Sequence, residues 1–94
     1  MTLDPSEFQS RLRALLGSES VELTDEQLAR MADRYRLCPG KERWGVRQYA
    51  VPTGIGAREF RVMRGTGIED VYRSTQRLQA DAVGEALNAL EAEP

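Results

Sequence analysis

Arg43, Arg47 and Arg61, together with Tyr49 and Tyr72, are the side chains of this chain whose types and spacing suit them to chemistry. Arg43, Arg47 and Tyr49 stand an even number of residues apart, so an extended backbone projects all three from one side. Arg61 takes the matching side of a second extended stretch, and Tyr72 is a further candidate for the same face. Guanidinium groups are planar donors to phosphate or carboxylate, and aromatic rings offer stacking surfaces. The chemistry on offer is therefore recognition, with no bond made or broken. The plainest reading of the same residues is a solvated sheet face whose charges discourage aggregation. Ile55, flanked by Gly54 and Gly56, falls at the tip of an expected loop, where a branched apolar residue either anchors a partner or folds down on a neighbour. Gly54-Ile55-Gly56 and Gly65-Thr66-Gly67 present backbone N–H groups, but neither has the spacing of a phosphate loop, and two hairpin turns explain both.

Those side chains need a pleated layer to hold them, and the hydrophobic period supplies one. From Arg43 to Val51 the chain alternates, with Trp44, Val46 and Ala50 opposite Arg43, Arg47 and Tyr49. Arg58 to Arg64 alternates likewise, Phe60 and Val62 lying opposite Arg61 and Met63, and Pro52 to Ala57 carries the proline and glycines of a connecting loop. After the Gly65-Thr66-Gly67 turn, residues 68–73 read as a short third strand of uncertain register. A rival reading starts the last helix there, at Val71.

Helical segments flank the strands. Asp4 before Pro5, with Glu7 three positions on and Leu3 facing Phe8, marks a helix start with a staple. Thr24, with Gln27 at the third position and Leu23 facing Leu28, repeats the device. The first helix aligns Phe8, Leu12, Leu15 and Leu16 and stops at Gly17; the second aligns Leu28, Met31, Ala32 and Tyr35 and cannot pass Pro39-Gly40. The short link predicts an antiparallel helical hairpin over residues 3–37. Over residues 75–91, Leu78, Ala82, Val83, Ala86, Leu87 and Leu90 form a stripe expected to pack on Trp44, Val46, Phe60 and Val62, while Asp81, Glu85 and Glu91 face away. Gly84, which costs about 1 kcal/mol against alanine inside a helix, points to a close crossing over the sheet. The expected fold is α+β: an N-terminal antiparallel helix pair, a two- or three-stranded antiparallel sheet, and a C-terminal helix on one sheet face. All of residues 1–94 form one domain.

Charge is distributed in blocks. Residues 1–33 carry three Arg against seven acids, residues 34–77 ten Lys/Arg against four, and residues 78–94 four acids alone, giving −4, +6 and −4 and the net of −2. A basic middle between acidic ends predicts one cationic face. Alternatively, the acidic helical pair folds back and neutralises part of it. The acidic helix faces are most simply solvated, with mimicry of a phosphate backbone as a lesser alternative. A composition of 40% apolar and 30% charged residues belongs to an ordinary globular protein. The chain has no run of membrane-spanning length, and Met1 to Pro5 does not read as a signal peptide. With one cysteine, Cys38, no internal disulfide forms, which points to the reducing cytoplasm; Cys38 reads as a small buried residue beside Pro39. The absence of histidine removes Ser-His and Cys-His nucleophile pairs and every His-containing metal site. No catalytic residue, metal or cofactor is expected.

The stretch from Trp44 to Leu90, a strand hairpin followed by a helix reading Ala80-Asp81-Ala82-Val83-Gly84-Glu85-Ala86-Leu87-Asn88-Ala89-Leu90, resembles small accessory proteins of bacteriophages and mobile elements. That group includes host-takeover factors such as anti-CRISPR proteins, so the resemblance implies a non-enzymatic accessory or inhibitory factor. The leading expectation is a small binding protein that engages a protein partner. The alternative is a nucleic-acid-binding module using the basic sheet face, and the exposed edge of a small sheet admits a homodimer.

Overall fold

The computed structural model describes residues 4–17, 21–51 and 56–92. In chain order it contains α1 (Pro5–Gly17), α2 (Asp25–Tyr35), β1 (Trp44–Ala50), β2 (Arg58–Arg64), β3 (Asp70–Ser74) and α3 (Arg77–Ala92). The strands form one antiparallel sheet in the order β1-β2-β3. Among the described residues, no helix is long and apolar enough to cross a membrane.

Both N-terminal helices start where their caps place them. The Asp4 carboxylate accepts from the Ser6 and Glu7 backbone N–H groups at 2.7 and 3.3 Å. Thr24 and Gln27 close a full capping box, at 3.1 Å from Gln27 N to the Thr24 hydroxyl and 2.8 Å from Thr24 N to the Gln27 side chain. Leu23 is buried beside buried Leu28 as expected, whereas the Leu3 half of the first staple lies outside the described residues. Arg13 of α1 pairs with Asp25 at the start of α2, and Phe8 near the start of α1 meets Tyr35 at the end of α2, ring centroids 4.7 Å apart. Contacts at opposite ends in this order make the pair antiparallel.

α3 lies across all three strands, with α1 packed on α3 and α2 packed on α1 and β3. One continuous core results, built from Phe8, Leu12 and Leu16 of α1, Leu28, Met31 and Ala32 of α2, Trp44, Val62, Val71 and Tyr72 of the sheet, and Ala80, Val83, Ala86, Leu87 and Leu90 of α3. Two details of α3 differ from the sequence reading. The helix begins at Arg77, after Ser74 accepts from Gln76 N at 3.0 Å, so residues 70–74 are a strand and the reading that starts the helix at Val71 fails. The buried stripe runs from Ala80 through Val83, Gly84 and Leu87, and Leu78, about half a turn away from Ala80, is 83% exposed.

β3 also departs from simple alternation. Val62 pairs with Tyr72 but Met63 pairs with Asp70, leaving Val71 as the extra residue of a β-bulge. Asp70, Val71 and Tyr72 are consequently all buried. That is why neither face of this segment reads as apolar in the sequence.

Gly84 does sit over the sheet, but it is not there because nothing larger fits. A Cβ at this position would lie 3.8 Å from Val62 and 3.9 Å from Val46, an ordinary van der Waals distance. Gly84→Ala is therefore expected to stabilise the protein by about 0.5–1 kcal/mol through helix propensity alone, read as a raised urea midpoint at unchanged slope. A lowered midpoint would show that the helix cannot approach the sheet with a methyl group in between.

Candidate functional site

The face of the sheet turned away from α3 is the surface the sequence singles out. Strand register decides its membership. Gly45 pairs with Met63, Arg47 with Arg61 and Tyr49 with Glu59 across β1 and β2, and Arg61 pairs with Arg73 across β2 and β3. Paired residues share a face, so Arg47, Arg61 and Arg73 form a row across three strands. Trp44, Val46, Phe60, Val62 and Tyr72 occupy the other face, against α3.

Like charges placed directly opposite one another repel. Each arginine of the row is held by a different local partner. Arg61 Nε donates to Glu59 at 2.6 Å, and its guanidinium carbon sits 4.2 Å from the centre of the Tyr49 ring. Arg73 donates to Asp70 at 2.8 and 3.1 Å. Arg47 turns to the carbonyls of the second glycine turn, donating to Gly65 O and, at 3.1 Å, to Gly67 O. The Tyr49 hydroxyl reaches the Met63 sulfur at 3.5 Å, and Met63 is buried beneath these side chains although no described helix covers it. Arg43 is exposed at the entrance to β1 and carries no ion pair among the described residues. The result is an ordered, cation-rich surface.

Three of the six residues expected at a binding site thus meet on one face, Arg47, Tyr49 and Arg61, while Arg43 is exposed just before β1. Tyr72 does not join them. The bulge turns it into the core, where it is 9% exposed and its hydroxyl meets Gln79 at 3.4 Å. Ile55 lies outside the described residues. Arg73, not singled out from the sequence, completes the row, and counting back from Arg61 across an antiparallel pair would have found it only with the bulge known.

The cations on the open face of the sheet are partly neutralised, and among the described residues no acid of the N-terminal helices pairs with them. Glu59 and Asp70 of the sheet do this for Arg61 and Arg73, and α2 contributes a cation, Arg34, which donates to Asp70 O at 2.9 Å and to the Glu69 carboxylate at 2.8 Å. The Gly65-Thr66-Gly67 turn does hold an anion, but it is the protein's own: Thr66 N donates to the Glu42 carboxylate at 3.1 Å. Gly65 has φ +50°, and a Cβ there would overlap the Glu42 carboxylate, so the turn requires glycine twice over.

A second polar cluster lies behind the sheet. Arg64, 5% exposed, projects toward α3 and meets Glu91 with two parallel hydrogen bonds, that from Nη1 measuring 2.8 Å. Arg64 also donates to Cys38 O at 2.8 Å and Glu42 O at 2.9 Å, and its guanidinium lies 4.2 Å from the Trp44 ring centre. Glu91 accepts further from Tyr35 at 2.5 Å and from the Trp44 indole at 3.1 Å. Glu91 stays at the surface, its side chain 27% exposed, but its carboxylate turns toward Arg64 and the sheet, which corrects the expectation that it faces away. The signal was present: Glu91 is in helical phase with Gly84 and Leu87, and Arg64 is in strand phase with Val62. An open groove of about 1000 Å³ between α1, α2 and α3 exposes one side of this cluster, with Phe8, Tyr35, Leu90 and Lys41 on its walls.

Electrostatics follow from this packing. Burial raises the Glu91 carboxyl, but the hydrogen bonds from Arg64, Tyr35 and Trp44 and the Arg64 charge outweigh it and hold the group below its ordinary range. At Asp70 burial again raises the carboxyl, and the hydrogen bond and charge of Arg73, with the Arg34 charge, overcome it and leave the group below its ordinary range. Burial, reinforced by the bond to Glu91, pushes the Tyr35 phenol up to about 12. Burial raises the Cys38 thiol, which donates to Glu69 O at 3.4 Å, so Cys38 has the character of a core residue. Groups with depressed folded values stabilise above their unfolded values and lose that contribution as pH falls through the folded ones. The urea midpoint is therefore expected to hold from neutrality down to about pH 5 and then to fall as Glu91 and Asp70 take up protons. A midpoint unchanged down to about pH 3 would mean that neither carboxylate is coupled to folding.

No three acidic or cysteine side chains converge into a metal-binding group among the described residues. Comparison with protein-family models, with curated proteins and with solved structures found no match to this chain.

Proposed function

We propose that this chain is a small non-enzymatic binding protein that engages an acidic protein surface through the open face of its sheet, in the manner of the accessory or inhibitory factors its sequence resembles. The arrangement of Arg61 over Tyr49 supports this reading over nucleic-acid binding. A base stacks on a free aromatic face, and here the Arg61 guanidinium already covers one of the two faces of the Tyr49 ring. Arginine and tyrosine are residue types enriched at protein interfaces, and Arg47, Tyr49 and Arg61 are already ordered by contacts within the sheet. Such ordering lowers the entropic cost of docking. The face offers Arg47, Arg61 and Arg73, with Arg43 just before β1, against Glu59 and Asp70, an excess of cations that favours a carboxylate-bearing partner.

Two arms of one experiment test the reading. Capture from lysate with the native chain is expected to retain an acidic protein that the Tyr49→Ala/Arg61→Ala variant loses, with affinity for the purified partner reduced about 100-fold, in keeping with the loss of a central aromatic–arginine anchor. Titration with duplex and single-stranded oligonucleotides at low salt is expected to show only weak binding. Tight oligonucleotide binding that collapses with rising salt, alongside an unchanged partner profile for the variant, would replace this reading with the nucleic-acid one.

A further inference from the structure

The two edges of the sheet are treated very differently. At β3, α2 packs alongside and Arg34 donates to the Asp70 carbonyl at 2.9 Å. β1 is the other edge, and its pairing with β2 runs without a bulge from Trp44 to Ala50. Arg43 O accepts from Gly65 N at 3.1 Å and Val51 N donates to Ala57 O at 3.2 Å, so the odd-numbered residues of β1 bond inward to β2. The even-numbered ones direct their N–H and C=O outward. Trp44 is the exception that is closed off: its N–H donates to Asn88 at 2.8 Å and its carbonyl accepts from Asn88 at 3.1 Å. Val46, Gln48 and Ala50 are left with backbone groups aimed at the edge, where no strand pairs with them among the described residues. Natural edges are usually blunted by a bulge, a proline or a charged side chain; β1 has no bulge or proline, and its one charge, Arg47, is turned back over the sheet to Gly65 and Gly67.

We propose that β1 pairs antiparallel with β1 of a second copy of this chain, Gln48 facing Gln48, which joins the two sheets into one. Side chains select this register. With Gln48 on the axis, Val46 meets Ala50 of the second copy and all three outward-directed residues bond. On the open face, Arg47 then lies opposite Tyr49 of the second copy, an arginine–aromatic pairing, and the same contact repeats across the axis. Sliding toward the N-terminus puts Arg47 against Arg47 and calls on Trp44, whose backbone Asn88 already holds. Sliding the other way puts Tyr49 against Tyr49 and leaves Val46 outside the ladder. The pairing is independent of what the open face binds, although it would double that face.

Sedimentation and light scattering of the native chain are expected to give twice the 10.6 kDa of one copy at micromolar concentration. Gln48→Pro removes one edge donor without touching the ladder to β2, a placement in which proline is tolerated. It is expected to give a folded monomer, with the far-ultraviolet spectrum unchanged. Gln48→Cys is expected to form a disulfide-linked dimer under mild oxidation, because directly bonded antiparallel residues stand about 5.5 Å apart, within disulfide reach. Ala50→Cys, facing Val46, is expected not to. The buried Cys38 should leave the native chain unlinked. A native monomer at every concentration, a dimer that survives Gln48→Pro, or equal cross-linking at both positions would overturn the proposal.

Discussion

Glu91→Ala should cost about 3–5 kcal/mol of folding stability, the range seen when one member of a buried ion pair is removed and the other charge is stranded. Arg64 makes the cost large. Its guanidinium is 5% exposed and rests on the Trp44 ring, so losing Glu91 leaves a buried cation without its counter-charge. Tyr35 and the Trp44 indole lose their acceptor in the same step. Several kilocalories are a large share of the roughly 5–15 kcal/mol available to a domain of this kind. The urea midpoint should fall accordingly, and the acid sensitivity attributed to Glu91 should weaken with it. A second substitution separates stranding from simple loss of contact. Replacing both partners, as Arg64→Met with Glu91→Leu, should recover most of the loss, since an apolar pair of similar volume can match a buried ion pair. A loss below about 1 kcal/mol for Glu91→Ala would place the pair with ordinary surface bridges and contradict its reading as the lock between α3 and the sheet.

Phe8→Ala is expected to cost about 3–5 kcal/mol, as large-to-small changes of buried aromatic residues do. Phe8 is 2% exposed and joins α1 to the ring of Tyr35, which in turn stacks on Trp44 at 5.8 Å. This aromatic series carries α1 onto the cluster that α3 closes. Truncation should therefore have a second effect that mere cavity formation elsewhere would lack. Water admitted beside Tyr35 would remove much of the burial that pushes its phenol up to about 12. The sign is definite: a phenol raised in the folded state stabilises below its unfolded value and loses that contribution as pH rises through the folded one. In the variant, phenolate absorbance should appear closer to the ordinary value near 10, and alkaline unfolding should begin earlier. Subtracting the titration of Tyr35→Phe isolates this residue from the other two tyrosines. An unchanged Tyr35 titration in folded Phe8→Ala would show that α1 does not shield the cluster.

Short-range chemistry made much of this protein legible in its residues. Asp4-Pro5 and Thr24 to Gln27 start helices by satisfying backbone N–H groups within a few positions, and no distant contact is needed to see them. Alternation over Trp44–Ala50 and Arg58–Arg64 reports a sheet with one face covered, and it puts Arg47, Tyr49 and Arg61 together on the open side, as the register does. The period of α3 identifies its burial against Val46 and Val62, with Leu78 in its first turn and Glu91 in its last misjudged. These features depend on a residue and its near neighbours, which is what a linear pattern encodes.

Tertiary structure decided the rest, because each remaining feature depends on what lies opposite in space. A single bulged residue, Val71, turned Tyr72 from the open face into the core and set Arg73 in line with Arg61. Arg64 and Glu91 look like surface charges in a list of residues, since pattern reading assigns charged side chains to solvent. They become a pair, Arg64 buried and Glu91 partly so, only because strand phase and helix phase aim them at each other, with four further partners converging on the same point. The alternation establishes that a charged face exists. Only the register establishes which arginines share it, how each is held, and that one edge of the sheet was left open.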